Sequence, residues 1–91
     1  GNAELYHRNG KSAIRLTFKN DRRDGPSYQY YPNGQIYKEV QFINDQKEGE
    51  EKTYFEDGRL NSIYPYCEGK LDGEAKHWNE SGILIFEAEY K

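Results

Sequence analysis

The sequence predicts an all-β chain, an antiparallel β-meander built from hairpins that repeat every 24 residues. Three observations lead there. Glycines recur in two series of one spacing, Gly10, Gly34, Gly58 and Gly82 in the first and Gly25, Gly49 and Gly73 in the second. Aromatic residues keep the same phase, as Tyr6, Tyr30, Tyr54 and Trp78 and as Phe18, Phe42, Tyr66 and Tyr90. Between the glycines apolar residues alternate with polar ones, the pattern of a half-buried strand, and no unit sustains the three-four spacing of a helix. Self-similarity at such a period marks a chain assembled from one small supersecondary unit.

Taken in order, residues 3 to 8 form the first strand and 12 to 19 the second. Ser12 stands where the other units have Ile36, Leu60 and Leu84, which predicts a weaker first unit. Strands near 26 to 32 and 35 to 43 flank Asn33-Gly34, and strands near 50 to 56 and 59 to 67 flank Asp57-Gly58. Both dipeptides are what a type I′ hairpin turn requires. Pro65 lies inside the 59 to 67 strand and predicts a local break, since proline is tolerated in sheets only at edges and bulges. Strands near 74 to 80 and 83 to 90 complete the series. The seven-residue returns KNDRRDG, INDQKEG and CEGKLDG read as loops that close one unit and open the next, each ending on a glycine suited to a bulge or left-handed position. The units span about 1–24, 25–48, 49–72 and 73–91, within one domain covering residues 1–91.

Because 24 is even, alternation predicts that one face collects the even-numbered residues Tyr6, Ile14, Leu16, Phe18, Tyr28, Tyr30, Ile36, Val40, Phe42, Tyr54, Leu60, Tyr64, Tyr66, Trp78, Leu84, Phe86, Ala88 and Tyr90. The odd face is polar, with Tyr31, Tyr37, Phe55, Ile63, Ile83 and Ile85 interrupting it. A core made of rings follows from the composition as well. Charged residues make up 32% of the chain and apolar ones 34%, a disorder-like balance, but aromatics reach 15%, which disordered chains do not. A chain of 91 residues has room for one thin core.

Net charge of −3 gives no electrostatic footprint for nucleic acid, and contact with an anionic membrane is not expected. The lone Cys67 excludes an internal disulfide framework and a thiolate metal cluster. No apolar run has the length of a membrane-spanning helix. Gly1 in place of Met suggests a processed start, so the compartment stays open between the cytoplasm and export after removal of an upstream signal.

Catalytic residues should break the repeat, because one site is not needed in every unit. No such asymmetry stands out. His7 and His77 occupy different repeat positions without partner ligands at metal spacing. The carboxylates Glu48, Glu50, Glu51, Glu56 and Asp57 form an acidic run that reads as a solvated edge. Paired carboxylates acting as glycosidase acid and base are the chemical alternative, but a flat sheet lacks the cleft that would raise one of their pKa values. The glycines stand before strands rather than opening a helix, so no phosphate-cradling loop is present. No catalytic residue, cofactor or metal is expected.

The segments Gly25-Pro-Ser-Tyr-Gln-Tyr-Tyr-Pro-Asn-Gly34, Gly49-Glu-Glu-Lys-Thr-Tyr-Phe-Glu-Asp-Gly58 and Gly73-Glu-Ala-Lys-His-Trp-Asn-Glu-Ser-Gly82 resemble the MORN repeat, specifically its variant form from bacterial proteins. Tyr66-Cys-Glu-Gly-Lys-Leu-Asp-Gly73 is similar to the link between such repeats, and the resemblance runs from about Leu5 to Lys91. It implies an elongated, single-layered, twisted sheet of stacked hairpins. It also implies a binding module, with another protein as the expected partner and the antitoxin-like members of the family as its most concrete form. MORN repeats also accompany plant phosphatidylinositol-phosphate kinases, but no kinase domain fits in this chain, so a kinase label would be a name transfer. The candidate partner-binding residues are Tyr30, Tyr54 and Trp78 on the aromatic column and Tyr31, Tyr37 and Phe55 on the other face. Binding of glycans or membrane headgroups by the aromatic face is the alternative, and a homodimer through the sheet face or edge is a further expectation, since open sheet edges invite pairing.

Overall fold

A computed structural model describes residues 1–91. The chain forms one open antiparallel sheet without helices. Its strands are β1 (Asn2–Tyr6), β2 (Ser12–Lys19), β3 (Arg22–Arg23), β4 (Gly25–Tyr30), β5 (Ile36–Ile43), β6 (Gln46–Tyr54), β7 (Leu60–Cys67), β8 (Lys70–Leu71), β9 (Gly73–Trp78) and β10 (Leu84–Tyr90). The long strands lie in the order β1-β2-β4-β5-β6-β7-β9-β10, with β3 on β2 and β8 on β7. Strand order thus follows chain order, as a meander of stacked hairpins requires. Extents of 36 × 32 × 12 Å describe a slab one sheet thick. The radius of gyration, 14.2 Å, exceeds the roughly 12 Å of a compact domain of this length.

The two kinds of turn exchange the roles that their sequences suggest. At Asn33-Gly34 only the glycine has positive φ, 93°. Gly34 N–H bonds to Tyr31 O at 2.9 Å and Tyr31 N–H to Gln35 O at 2.8 Å. That is a tight turn over Tyr31-Pro32-Asn33-Gly34 with Pro32 and Asn33 in right-handed conformation and a left-handed glycine behind it, not a type I′ turn. The same pair of bonds closes the turns that end on Gly10, Gly58 and Gly82, which contain no proline, so the geometry belongs to the repeat, and Pro32 fits it because the pyrrolidine ring holds φ negative. The pairs with both central residues at positive φ are instead Asn20-Asp21, Asn44-Asp45 and Glu68-Gly69. The expected seven-residue loops are therefore two-residue turns flanked by short pairings, such as Ile43↔Gln46 and Cys67↔Lys70.

Each hairpin also carries a bulge at one fixed repeat position. Leu5↔Ile14 is followed by Tyr6↔Ser12, Gln29↔Lys38 by Tyr30↔Ile36, and Thr53↔Ser62 by Tyr54↔Leu60. In the last unit Phe86↔His77 is followed by Leu84↔Trp78. The unpaired extra residues are Ala13, Tyr37, Asn61 and Ile85, again 24 apart. Such a bulge lets two residues of one strand face one of the other and switches the side to which alternation points.

These registers overturn the single even face. Ser27 lies opposite Val40 and Gly25 opposite Phe42, so an odd residue on one strand shares its side with an even residue on the next. One side of the sheet holds Leu16, Ser27, Val40, Phe42, Glu51, Ser62, Tyr64 and Ala75. The other holds Glu4, Arg15, Tyr28, Glu39, Lys52 and Lys76, together with Tyr6, Tyr30, Tyr54 and Trp78. The physical reason is the sum of paired residue numbers, which is odd along each hairpin until the bulge, so parity changes sides at every strand.

The buried residues all belong to the first side: Val40, Phe42 and Ala75, with the polar Ser27, Glu51 and Ser62. Phe42 is the only buried ring, which corrects the expectation of a ring-built core. Six buried residues of 91 is what one layer permits: a side chain has neighbours only along its own face, and small groups disappear among larger ones while rings stay half exposed. Ser27, Glu51 and Ala75 occupy one repeat position. Pro65 does not break β7. Its carbonyl accepts Asp72 N–H at 3.0 Å, so its missing N–H faces the same flank, where the ladder to β9 is already interrupted by the β8 return.

Candidate functional site

The six aromatic residues expected to meet a partner separate into two groups. Tyr30, Tyr54 and Trp78 are half-buried and share one side of the sheet at the turn end of their hairpins. Pairing places Ile36, Leu60 and Leu84 beside them. This row is edged by charge: the Arg15 guanidinium lies 5.7 Å from the centre of the Tyr30 ring, and Tyr54 Oη donates to Glu39 Oε1 at 2.6 Å. Burial, with the Glu39 hydrogen bond second, pushes the Tyr54 phenol up to about 12. Tyr28 extends the row, its ring 6.4 Å from that of Tyr30.

Tyr31, Tyr37 and Phe55 lie apart from that row. Tyr31 and Tyr37 meet edge to face at 5.2 Å, on the opposite side of the sheet. Tyr37 is exposed and Tyr31 half-buried, so of this pair only Tyr37 is open to solvent. Tyr31 Oη donates to Tyr54 O at 2.7 Å, and burial, then the neighbouring Tyr37 and Glu56, raises its pKa. It joins one repeat to the next. Phe55 occupies the equivalent repeat position and lines a shallow depression with Tyr31, Asp57 and Arg59.

The Tyr31 bond belongs to a ladder that the sequence reading missed. His7 Nε2 sits 2.8 Å from Tyr30 O, a contact that requires the ring proton on that nitrogen. Phe55 has no donor at this position, and Asn61 supplies one from the bulge, with Nδ2 2.8 Å from Trp78 O. A second rail runs over the turns, Asn9 Nδ2 to Pro32 O at 2.8 Å and Asn33 Nδ2 to Glu56 O at 3.0 Å. Asp57 cannot continue it. Its carboxylate instead accepts the Arg59 N–H and guanidinium, and the Arg59 backbone bond, first among these, holds its pKa low. The signal was legible in the sequence as Asn9 and Asn33 one period apart.

The acidic run is not the solvated edge that it resembles. Glu51 is 7% exposed, its Oε2 2.6 Å from Lys47 Nζ, and that ammonium also lies 4.8 Å from the centre of the Tyr66 ring. Glu48 Oε2 accepts Glu68 N–H at 2.9 Å, while Glu50 lies on the opposite side with Lys52. Strand alternation has divided the run between two faces. The Cys67 thiol is exposed and pushed up by Glu48, with desolvation next, an environment that disfavours the reactive thiolate. No three His, Cys, Asp or Glu side chains converge at metal-binding distance.

A one-layer sheet of bulged hairpins, joined by side-chain rungs from unit to unit and open on both faces, defines a repeat scaffold. The MORN repeat variant family matches at residues 1–20, 23–44, 47–68 and 71–91, and the chain belongs to that family. Its repeats are general protein- or membrane-binding modules. No curated protein and no solved structure matches the chain.

Proposed function

We propose that the protein is a non-enzymatic scaffold that binds another protein through the row Tyr30, Tyr54 and Trp78, in its narrowest form as an antitoxin-like binder that neutralises its partner by covering it. The observation that supports this reading is a row of half-buried rings on one open face, flanked by Ile36, Leu60 and Leu84 and bordered by Arg15, Glu39, Lys52 and Lys76. Aromatic anchors rimmed by charged groups are the usual make-up of a protein-binding patch, since rigid rings give large contact area at low entropic cost. Tyr37 offers a secondary contact on the reverse side.

Isolation of the bound protein from the source organism, followed by reconstitution of the two purified chains, tests the reading. Trp78→Ala is expected to weaken the reconstituted complex by roughly thirtyfold, the scale of an interfacial hot spot of about 2 kcal/mol. An unchanged affinity in both Trp78→Ala and Tyr54→Ala would remove the row from the interface. The same rings are chemically suited to stacking on a glycan or resting among membrane headgroups. Quenching of Trp78 fluorescence by cell-wall fragments, or co-sedimentation with anionic vesicles at low salt, would favour that alternative.

A further inference from the structure

We propose that the two end strands are halves of one interface, so that β10 of one copy pairs with β1 of a second copy in the register that joins the units within the chain. The inference rests on the reading of this sheet as an interaction module and names a partner for its edges. Three junctions between units are present, and all use one register. Ile14 pairs with Gln29 and Arg15 with Tyr28. Lys38 pairs with Thr53 and Glu39 with Lys52. Ser62 pairs with His77 and Ile63 with Lys76. Each step adds 24 to both partners.

One step further sets Phe86 and Glu87 against repeat positions filled by Leu5 and Glu4 of a second copy whose numbering continues the period. Positions between Lys91 and that copy's Gly1 correspond to Asn44 through Glu48, which make the two-residue turn and its flanks. The stretch that pairs across the internal junctions is therefore present on both sides.

Side-chain chemistry agrees. Of the eight exposed large hydrophobic residues, six lie at the two ends: Leu5 and Tyr6 on β1, and Ile83, Leu84, Ile85 and Phe86 at β10. Phe86 against Leu5 is an apolar cross-strand pair where the internal junctions have Ile14 against Gln29, Lys38 against Thr53 and Ser62 against His77. Asn79, the equivalent of His7 and Tyr31, accepts Ser81 and Ile83 N–H through Oδ1 and retains a free amide nitrogen to serve as the next rung, onto Tyr6 O of the second copy. Glu87 would face Glu4, whose charge is already balanced by Arg15. Residual repulsion predicts that association strengthens as salt rises, through screening. The interface is head-to-tail, so growth continues until a ring closes or an end is capped.

Sedimentation velocity across a wide range of concentration tests this. The wild-type chain is expected to form concentration-dependent oligomers. Leu5→Lys blocks one edge and Phe86→Lys the other, and each variant alone is expected to lose association. An equimolar mixture of the two should regain a dimer and stop there, because each variant keeps one working edge. Circular dichroism monitors the sheet, and Leu5→Ser with Phe86→Ser replaces the pair if a lysine variant loses it. A monomeric wild type at every concentration, self-association of Leu5→Lys alone, or a mixture without dimer would each overturn the proposal. None of these results bears on capture of a different protein by Trp78, so failure here is distinguishable from failure of the face-binding reading.

Discussion

Tyr54 shows how one residue gathers the physical chemistry of the sheet. Its ring is half-buried in the row, its hydroxyl donates to Glu39, and its carbonyl receives Tyr31 from the preceding repeat. With a folded pKa of about 12 against about 10 in the unfolded chain, the phenol stabilises the fold below pH 10, and that contribution is lost as pH rises through 12. Alkaline titration of tyrosinate absorbance should find a late-ionising fraction, and Tyr54→Phe should remove its part near pH 12 and flatten the alkaline decline of the melting temperature. Tyr31→Phe deletes one rung and leaves Tyr54 O without it. A loss of about 1 kcal/mol in denaturant unfolding is expected. Asp57 offers the reverse experiment: Asp57→Asn restores the amide that Asn9 and Asn33 use, so the turn rail should extend to Glu80 O. The Arg59 ion pair given up is exposed and contributes little, so a gain of about 0.5 kcal/mol is expected from the same measurement.

At the scale of the element, turn chemistry decides where the strands reverse. Glu68 has a φ of 51° in a two-residue turn, a conformation that costs an ordinary side chain about 1 kcal/mol and Asn much less. Only its backbone N–H bonds to Glu48, so Glu68→Asn should raise the melting temperature while keeping that bond. Gly73 works in the opposite sense. Its φ of 120° strains any side chain, the 3.1 Å approach of Pro65 Cγ to the place a Cβ would take crowds one further, and Gly73→Ala should destabilise by about 2 kcal/mol. The strands themselves were largely legible, because alternation and glycine spacing survive in the sequence; the predicted segments near 12 to 19, 35 to 43, 59 to 67 and 83 to 90 differ from β2, β5, β7 and β10 by a residue at most. The turn types were not legible from Asn33-Gly34 alone. All four turns of this kind share one geometry with a single left-handed glycine, and type I′ geometry passes to Asn44-Asp45, whose Asp45 carboxylate is held by the Arg23 backbone N–H at 2.7 Å.

For the whole molecule the consequence of one layer is that stability is local. Each unit touches only the units beside it, so stability accumulates unit by unit. In dilute solution, where the chain is monomeric, amide exchange should be slowest in β5, β6 and β7 and fastest in β1 and β10, which have a neighbour on one side only. Uniform protection across all the strands would argue for end strands covered in solution.

The sequence by itself determined the family, the 24-residue period, the strands and the columns of turn glycines and aromatics, because each is a local or periodic property written directly in residue spacing. Only the tertiary structure decided which rings share a face. That assignment depends on the register between strands, where one bulged residue per hairpin and an odd pairing sum move Tyr30, Tyr54 and Trp78 away from Val40 and Phe42. Register also placed Glu51 on the buried side beside Ser62 and Tyr64, and brought His7, Tyr31 and Asn61 onto the carbonyls of the following units. The His7 and Tyr31 contacts span 23 residues and that of Asn61 spans 17, and a one-residue shift in pairing would have sent each of those side chains to the other side of the sheet.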